Sequence, residues 1–316
     1  MTSFAFVFPG QGSQAVGMLD AWGDNAAVRQ TLGEASEALG EDMGRLIKEG
    51  PKERLDLTTN TQPVMLTAGI ACYRAWMAET GLTPSVVAGH SLGEYTALVA
   101  AGALTLGDAL PLVRFRAQAM QDAVPVGAGA MAAILGMDAQ AVHAGCAEVA
   151  AATGEVVEAV NFNDPKQTVI AGSKAGVEKA CELLKAKGAK RALPLPVSAP
   201  FHSSLMKPAA ERLKDKLAGT TIANPKIAVV NNIDVKTESD AGSIRDALYR
   251  QAFGPVRWVE VVQAIRARGV THIVECGPGK VLSGMVKRID AEALTATIFD
   301  PASLADAKAM LAGSAA

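Results

Sequence analysis

A serine held between two glycines, where a strand pattern meets a helix pattern, is the feature that most restricts the fold of this chain. The stretch from Val86 to Leu98 reads VVAGHSLGEYTAL, with Ser91 between Gly89 and Gly93. The small apolar residues before the motif predict a buried strand, and the residues after it predict a helix. A G-x-S-x-G sequence at such a junction forces a sharp turn that exposes the hydroxyl above the end of the strand. Ser91 is therefore a candidate nucleophile, and a purely structural turn is the alternative.

The patterns on either side of this motif indicate a mixed α/β fold. Strand and helix patterns alternate before residue 128 and after residue 196, which is typical of a mainly parallel sheet covered by helices. Between these parts the order of patterns becomes βαββαβ, the order of a ferredoxin-like unit. We therefore predict a large α/β domain split over 1–127 and 197–316, with a small ferredoxin-like subdomain inserted over 128–196.

Composition and charge exclude several classes of protein. The chain has 316 residues, with 30 Lys and Arg against 32 Asp and Glu, so no overall positive field attracts nucleic acid or an anionic membrane. Its four cysteines include no Cys-x-x-Cys pair, which argues against a zinc site and a disulfide framework. The first apolar run stops at Pro9, too short for a signal peptide or a membrane span. We expect a cytoplasmic protein without a bound metal.

A nucleophilic serine needs a base, and the chain offers four histidines. His143 falls in a predicted helix of the insertion and His272 in a predicted strand, so both are interpreted as structural. His90 adjoins Ser91 in sequence, which turns its side chain away from the hydroxyl and favours a packing role. His202, in the loop VSAPFHSSLM, is the remaining candidate. A lone histidine in a loop is more often structural than catalytic, and the residues alone leave that alternative open.

Two arginines follow the serine motif on one predicted helix. Thr105 and Asp108 form a capping signal for this helix, and Pro111 predicts a kink or a later start. Arg114 and Arg116 lie about 200° apart around a helix axis, so they project to nearly opposite sides. Only one of them can face a given cleft.

Several motifs together resemble one family, the malonyl-CoA:acyl carrier protein transacylases of bacterial fatty acid synthesis. They are FPGQGSQ, GHSLGEYTAL, FRAQAMQDAVP, SAPFHSSLM and ECGPGKVLSGMV, and they extend over nearly the whole chain. The resemblance implies a split α/β hydrolase-like domain with a ferredoxin-like insertion. It also implies transfer of malonyl from malonyl-CoA to the phosphopantetheine thiol of acyl carrier protein, through a malonyl-serine intermediate, by a monomer without a bound cofactor.

The resemblance assigns roles to the residues that would carry out the chemistry. Ser91 is the implied nucleophile and His202 its general base. The backbone N–H groups of Gln11 and Leu92 form the implied oxyanion hole. A backbone carbonyl at Gln251 holds the second imidazole nitrogen in the place that an acid takes in a triad.

The resemblance also implies how the acyl group is bound. Arg116 binds the free carboxylate of malonyl, a task that suits a guanidinium because it donates two parallel hydrogen bonds and stays charged. Arg114 is then the outward arginine. Phe201 matches the form of the motif that selects malonyl over α-methyl-branched acyl groups. The other residues expected around the cleft are Gln62, Asn161 and His90.

Three alternatives remain at this point. A serine thioesterase of the same broad fold would give the acyl group to water, although Arg116 would gain nothing from an apolar acyl chain. An ordinary α/β-hydrolase would place its histidine near the C-terminus after an acid, unlike His202. A non-catalytic acyl-binding protein could keep the fold without the reaction. The acceptor could also be a polyketide carrier, because the same chemistry loads both.

Overall fold

The computed structural model describes residues 3–197 and 199–313, and these residues form two separate β-sheets flanked by helices. The strands are β1 (Phe4–Phe8), β2 (Val86–Gly89), β3 (Gly129–Leu135), β4 (Val157–Asp164), β5 (Gln167–Ser173), β6 (Arg191–Pro194), β7 (Ala228–Val230), β8 (His272–Cys276) and β9 (Leu294–Ile298). The helices are α1 (Ala26–Leu39), α2 (Met43–Glu49), α3 (Lys52–Leu55), α4 (Thr58–Thr80), α5 (Gly93–Ala100), α6 (Leu106–Asp122), α7 (Ala139–Thr153), α8 (Lys174–Ala186), α9 (Lys207–Ala218), α10 (Ala241–Gln251), α11 (Trp258–Ala267), α12 (Val281–Ile289) and α13 (Pro301–Gly313).

The larger sheet is parallel, with the strand order β7-β2-β1-β8-β9. All five residues of β1 are buried, because helices cover both faces of a sheet of this kind. On one face Phe6 packs edge-on against Trp76 of α4, with ring centroids 5.6 Å apart. On the other face Ala5 and Val7 join the apolar cluster that includes Val262 of α11. The predicted parallel sheet is therefore present.

The smaller sheet is antiparallel, with the strand order β4-β5-β3-β6. Along the chain its elements follow the predicted order, β3, α7, β4, β5, α8 and β6. Helices α7 and α8 contribute Val142 and Leu184 to an apolar cluster with Ile134 and Ile170 of the sheet. The pattern from Arg191 to Ser198 predicts the last strand of this order, but β6 ends at Pro194. Ser198 lies outside the described residues, as do 1, 2 and 314–316.

Backbone hydrogen bonds join the antiparallel sheet to the segment between α10 and α11. The N–H of Phe162 in β4 donates to the carbonyl of Val256 at 2.9 Å, and the N–H of Val256 donates to the carbonyl of Val160 at 2.8 Å. Arg288 of α12 also donates to the buried carboxylate of Asp164 at 2.7 Å. These contacts fix the position of the antiparallel sheet over the carboxyl ends of the parallel strands, where the serine motif lies.

Two further expectations can be compared with the fold. All four cysteines are free thiols, as predicted from their spacing. None of the helices in the described part of the chain is both long enough and apolar enough to cross a membrane.

Candidate active site

The serine motif forms the predicted sharp turn between β2 and α5. Ser91 has a φ of 52°, a left-handed conformation that a residue with a side chain rarely adopts. A Cβ on Gly89 would lie 1.9 Å from the backbone of Gly93, and a Cβ on Gly93 would lie 2.1 Å from the carbonyl oxygen of Phe8. Glycine is therefore required at both positions, because any side chain would push the turn away from the sheet.

His202 is the histidine that contacts the serine hydroxyl. The Oγ of Ser91 lies 2.7 Å from Nε2 of His202, and Nδ1 of His202 lies 2.9 Å from the backbone carbonyl of Gln251. A carbonyl can only accept, so Nδ1 carries the proton and the lone pair of Nε2 faces the hydroxyl. The pair is a dyad in which a neutral carbonyl orients the imidazole.

The surroundings of His202 keep its imidazole neutral. The side chain is buried, and burial lowers the pKa of His202 from the ordinary 6.5 to about 3. The positive charge of Arg116 contributes to this lowering, while the hydrogen bond to Gln251 acts in the opposite direction. At neutral pH the imidazole is therefore ready to accept a proton.

Arg116 is buried beside the dyad and has neutral hydrogen-bond partners. Its Nη1 donates to the side-chain oxygen of Gln62 at 2.8 Å, and its Nη2 donates to the side-chain oxygen of Gln251 at 3.1 Å. Nη2 also lies 3.4 Å from Oγ of Ser91, whereas Nε has no hydrogen-bond partner within the described residues. The guanidinium stacks over the ring of Tyr95, 5.4 Å from its centroid. No carboxylate is therefore a direct hydrogen-bond partner of this cation among the described residues.

The helix that carries Arg116 tests three predictions. Arg114 projects to the other side, as predicted, and forms an ion pair with Glu41. Thr105 caps the helix by accepting from the N–H of Asp108 at 3.0 Å. The later start predicted from Pro111 is wrong, because α6 begins at Leu106 and runs through Pro111. A proline within a helix removes one N–H donor, and the rest of this helix is held by its buried face.

A cleft of about 120 Å³ opens over the dyad, between the two sheets. It is lined by all of the residues proposed from the sequence for this region except Gln251, which lies behind it: Gln11, Gln62, His90, Ser91, Leu92, Arg116, Asn161, Phe201 and His202. Sequence reasoning missed the apolar wall formed by Met120, Met131, Leu195 and Val197. These four residues fit ordinary core patterns, so no signal in the sequence distinguishes them.

The polar residues of the cleft differ in what they contact. Nε2 of His90 lies 2.8 Å from Oδ1 of Asn163, and its ring packs against Trp258, which agrees with the predicted packing role. Oδ1 of Asn161 is buried without a hydrogen-bond partner in the described chain. The side chain of Gln11 accepts from Thr58 at 2.9 Å.

Two backbone N–H groups lie close to the serine turn. Within residues 3–197 and 199–313, the N–H groups of Gln11 and Leu92 have no hydrogen-bond acceptor. Leu92 directly precedes the first residue of α5, where N–H groups point out of the helix end and carry a partial positive charge. Both groups are available to a negative oxygen that forms beside Ser91.

Behind the serine turn lies a buried polar network that sequence reasoning missed. The side chain of Asn232 accepts from the N–H of Ser91 and donates to the carbonyl of Gly89, both at 2.8 Å. The N–H of Asn232 donates to Glu94 at 2.8 Å, and the side chain of Gln251 donates to the same carboxylate at 3.0 Å. The position of Asn232, just after a strand of a parallel sheet, is a signal that could have indicated it.

The comparisons with known proteins agree with this geometry. Residues 5–298 match the model of the acyl transferase domain. The chain belongs to the acyl transferase family. This acyl transferase is 52% identical over 308 residues to the malonyl CoA-acyl carrier protein transacylase of Escherichia coli (strain K12), a match that covers 97% of the chain and 99% of the relative.

Solved structures similar to this acyl transferase have the same overall fold. An acyl-carrier-protein S-malonyltransferase from Burkholderia pseudomallei is 68% identical with a TM-score of 0.95, covering 97% of this chain and 99% of that one. A malonyl-transacylase in complex with a type II polyketide synthase acyl-carrier protein is 50% identical with a TM-score of 0.95, with the same coverage. The acyl transferase is therefore an enzyme whose relatives act on acyl groups.

No cluster of three metal-binding side chains occurs in the described parts of this acyl transferase. The residues that meet in the cleft are instead a hydroxyl, an imidazole and a guanidinium. This set can carry out nucleophilic attack on an acyl group that bears a negative charge.

Proposed function

We propose that this acyl transferase moves malonyl from malonyl-CoA to the phosphopantetheine thiol of acyl carrier protein. The observation that carries the proposal is Arg116, a buried cation whose Nη2 lies 3.4 Å from Oγ of Ser91 and whose direct partners are neutral. Leaving a buried charge without a partner costs several kcal/mol, and a carboxylate on the acyl group removes that cost. The names of the relatives support the same substrates.

In the first half-reaction, Oγ of Ser91 attacks the thioester carbonyl while Nε2 of His202 takes the hydroxyl proton. The negative oxygen of the tetrahedral intermediate accepts hydrogen bonds from the N–H groups of Gln11 and Leu92. Collapse of the intermediate breaks the carbon–sulfur bond. The departing CoA sulfur takes the proton from His202, and malonyl remains as an ester on Ser91.

The second half-reaction runs the same steps with a different thiol. The phosphopantetheine thiol gives its proton to His202 and attacks the malonyl ester. The oxygen of Ser91 leaves and recovers the proton from His202, so the enzyme returns to its starting state. Both thiols belong to the substrates, and the proposed reaction therefore uses no bound cofactor or metal.

Arg116 holds the acyl group in place during both steps. The malonyl carboxylate accepts from the guanidinium of Arg116, which lines the cleft with Nη2 3.4 Å from Oγ of Ser91, while Gln62 and Gln251 hold the guanidinium through Nη1 and Nη2. Phe201 and the methionines of the cleft wall pack around the short carbon chain. A fixed carboxylate at one end orients the carbonyl at the other end toward Ser91.

We also propose that the two sheets belong to a split α/β hydrolase-like large domain and a ferredoxin-like subdomain, with the boundaries predicted from the sequence. The order β4-β5-β3-β6, with two helices on one face and a cluster of its own, supports the second description. The four free thiols support a reducing, cytoplasmic location.

Intact-mass analysis tests the function. Mixing the enzyme with malonyl-CoA should add one malonyl group to the chain, and adding acyl carrier protein that bears phosphopantetheine should remove it and load the carrier. Rapid release of free malonate without a carrier would indicate a thioesterase. The absence of any adduct would indicate a non-catalytic protein.

A polyketide carrier is a second candidate acceptor, favoured by the relative that was solved with such a carrier protein. The same experiment separates the two acceptors. The rates at which a fatty acid carrier and a polyketide carrier discharge the malonyl-enzyme identify the preferred one.

The pH dependence of loading follows from the environment of His202. We expect kcat/KM for malonyl-CoA to change by less than about threefold between about pH 8 and about pH 5. Neutral imidazole accepts the proton of Ser91, and the pKa of His202 is lowered to about 3, so this form persists as the pH falls. Initial rates of loading at each pH test this expectation, and circular dichroism at the same pH values verifies that the enzyme stays folded. A tenfold loss with an apparent pKa near 6.5 would contradict it.

A further inference from the structure

Glu94 is a buried carboxylate that the proposed reaction does not use. It lies on α5, one turn after Ser91, and is 2% exposed. One oxygen, Oε2, accepts from the side chain of Gln251 at 3.0 Å and from the N–H of Asn232 at 2.8 Å. No lysine or arginine in the described chain forms an ion pair with it. Its direct partners are N–H groups, and burial raises the pKa of Glu94 to about 7 although these hydrogen bonds act in the opposite direction.

The two acceptors around Gln251 fix the direction of its side-chain amide. Nε2 donates to the carboxylate of Glu94 and to the carbonyl of Ser91, both at 3.0 Å. Oε1 accepts from Nη2 of Arg116 at 3.1 Å. With the amide reversed, an oxygen would face the carboxylate and an NH₂ group would face the guanidinium, and neither pair can form a hydrogen bond. Glu94 and the carbonyl of Ser91 together therefore specify which end of the amide contacts Arg116.

We infer that Glu94 is a positioning residue that aims Arg116 at the acyl carboxylate through the side chain of Gln251. The inference rests on the proposed function, in which Arg116 binds malonyl. When Glu94 holds the amide, Gln251 and Gln62 fix the guanidinium through Nη2 and Nη1, with Nη2 beside Oγ of Ser91 in the cleft. Without an acceptor at residue 94 only the carbonyl of Ser91 holds the NH₂ group of the amide, so Gln251 is a less firmly fixed partner of Arg116.

Glu94 also supports the serine turn through Asn232, so its two contacts need separate readouts. Asn232 holds the N–H of Ser91, and damage there impairs attack on every thioester. Loss of the contact with Gln251 slows the reaction only of those thioesters whose acyl group binds Arg116. The ratio of kcat/KM for malonyl-CoA to kcat/KM for acetyl-CoA distinguishes these effects, because acetyl lacks the carboxylate.

The experiment compares Glu94→Met, which keeps the length of the side chain and removes its acceptors, with Glu94→Gln, which keeps one oxygen for both donors. We expect Glu94→Met to lower the ratio of kcat/KM for malonyl-CoA to kcat/KM for acetyl-CoA about 10-fold, while any loss common to both substrates reports the contact with Asn232. Glu94→Gln should stay within about threefold of the wild type for both substrates. Glu275→Met is the matched control, because Glu275 is a fully buried carboxylate that caps α12. It should leave the ratio unchanged.

A second variant keeps the inference testable if Glu94→Met does not fold. Gln251→Met removes the amide but keeps the backbone carbonyl that contacts His202, and it should lower the ratio about as much. Adding Glu94→Met to Gln251→Met should lower the ratio no further, because Glu94 acts through that amide.

Equal losses with both substrates, or a Glu94→Gln variant as impaired as Glu94→Met, would overturn the inference. Arg116→Met, measured in parallel, separates this failure from failure of the proposed function. If Arg116→Met removes the malonyl preference and the residue 94 variants do not, only the role of Glu94 is wrong. If Arg116→Met leaves malonyl loading unchanged, the proposed function itself is wrong.

Discussion

Replacing Ser91 with alanine is expected to abolish the malonyl adduct and to lower the rate of malonyl transfer by at least about 10⁴-fold. The Oγ of Ser91 is the hydroxyl that contacts Nε2 of His202, at 2.7 Å, and the cleft opens over this pair. Alanine removes the atom that forms the ester, and no binding contact elsewhere can replace a covalent intermediate. Intact-mass analysis with malonyl-CoA and a carrier-loading assay measure both effects.

Ser85→Ala is the matched control for this experiment. Ser85 lies just before β2, at the opposite end of the strand from the serine turn, and its hydroxyl contacts Ser3. This variant should load and transfer malonyl like the wild type. An adduct that persists on the Ser91→Ala enzyme would contradict the assignment of the nucleophile, and peptide mapping would locate the modified residue.

Replacing Arg116 with methionine is expected to lower kcat/KM for malonyl-CoA about 10³-fold and to leave that for acetyl-CoA much less affected. Each charge-assisted hydrogen bond to a carboxylate contributes about 1.5–3 kcal/mol, so loss of the pair corresponds to roughly 4 kcal/mol, or about three orders of magnitude. Methionine fills most of the volume that the arginine side chain occupies beside the ring of Tyr95. Steady-state kinetics with both thioesters measure the difference.

Two further arginine variants sharpen this test. Arg116→Lys keeps the charge without the fork, so its kcat/KM for malonyl-CoA should fall between those of the wild type and the methionine variant. Arg114→Met changes the arginine on the other side of the same helix, which pairs with Glu41, and should leave the kinetics unchanged. Equal losses with malonyl-CoA and acetyl-CoA in Arg116→Met would show that Arg116 does not bind the acyl carboxylate.

The parts of the fold that the sequence predicted are those set by local rules. The turn at Ser91 follows a local motif with a strand pattern and a helix pattern on either side, and Gly89 is required by a contact within that motif, although Gly93 is required by its contact with Phe8. Arg114 and Arg116 separate because of the helical rotation alone. The order βαββαβ follows from periodicity, which is also a local property. These features could be predicted without knowing which strands pair.

The features that escaped prediction depend on contacts between distant parts of the chain. Glu94 and Gln251 meet although 157 residues separate them, and Ser91 and Asn232 are 141 residues apart. No local pattern encodes such a pair. The strand β9 was also not predicted, since its exposed and half-buried positions lack a clear alternation. Pro111 was misread because the buried face of α6 outweighs one missing hydrogen bond.

Gln251 serves two parts of the site with different atoms, since its backbone carbonyl orients His202 and its side chain contacts Arg116. An engineer who wants the enzyme to accept a new acyl group can vary Arg116 and its partner Gln62 without moving the backbone that holds the base. Substitutions at residue 251 should be limited to side chains that leave the helix end intact. Proline or glycine there would put reactivity at risk together with selectivity.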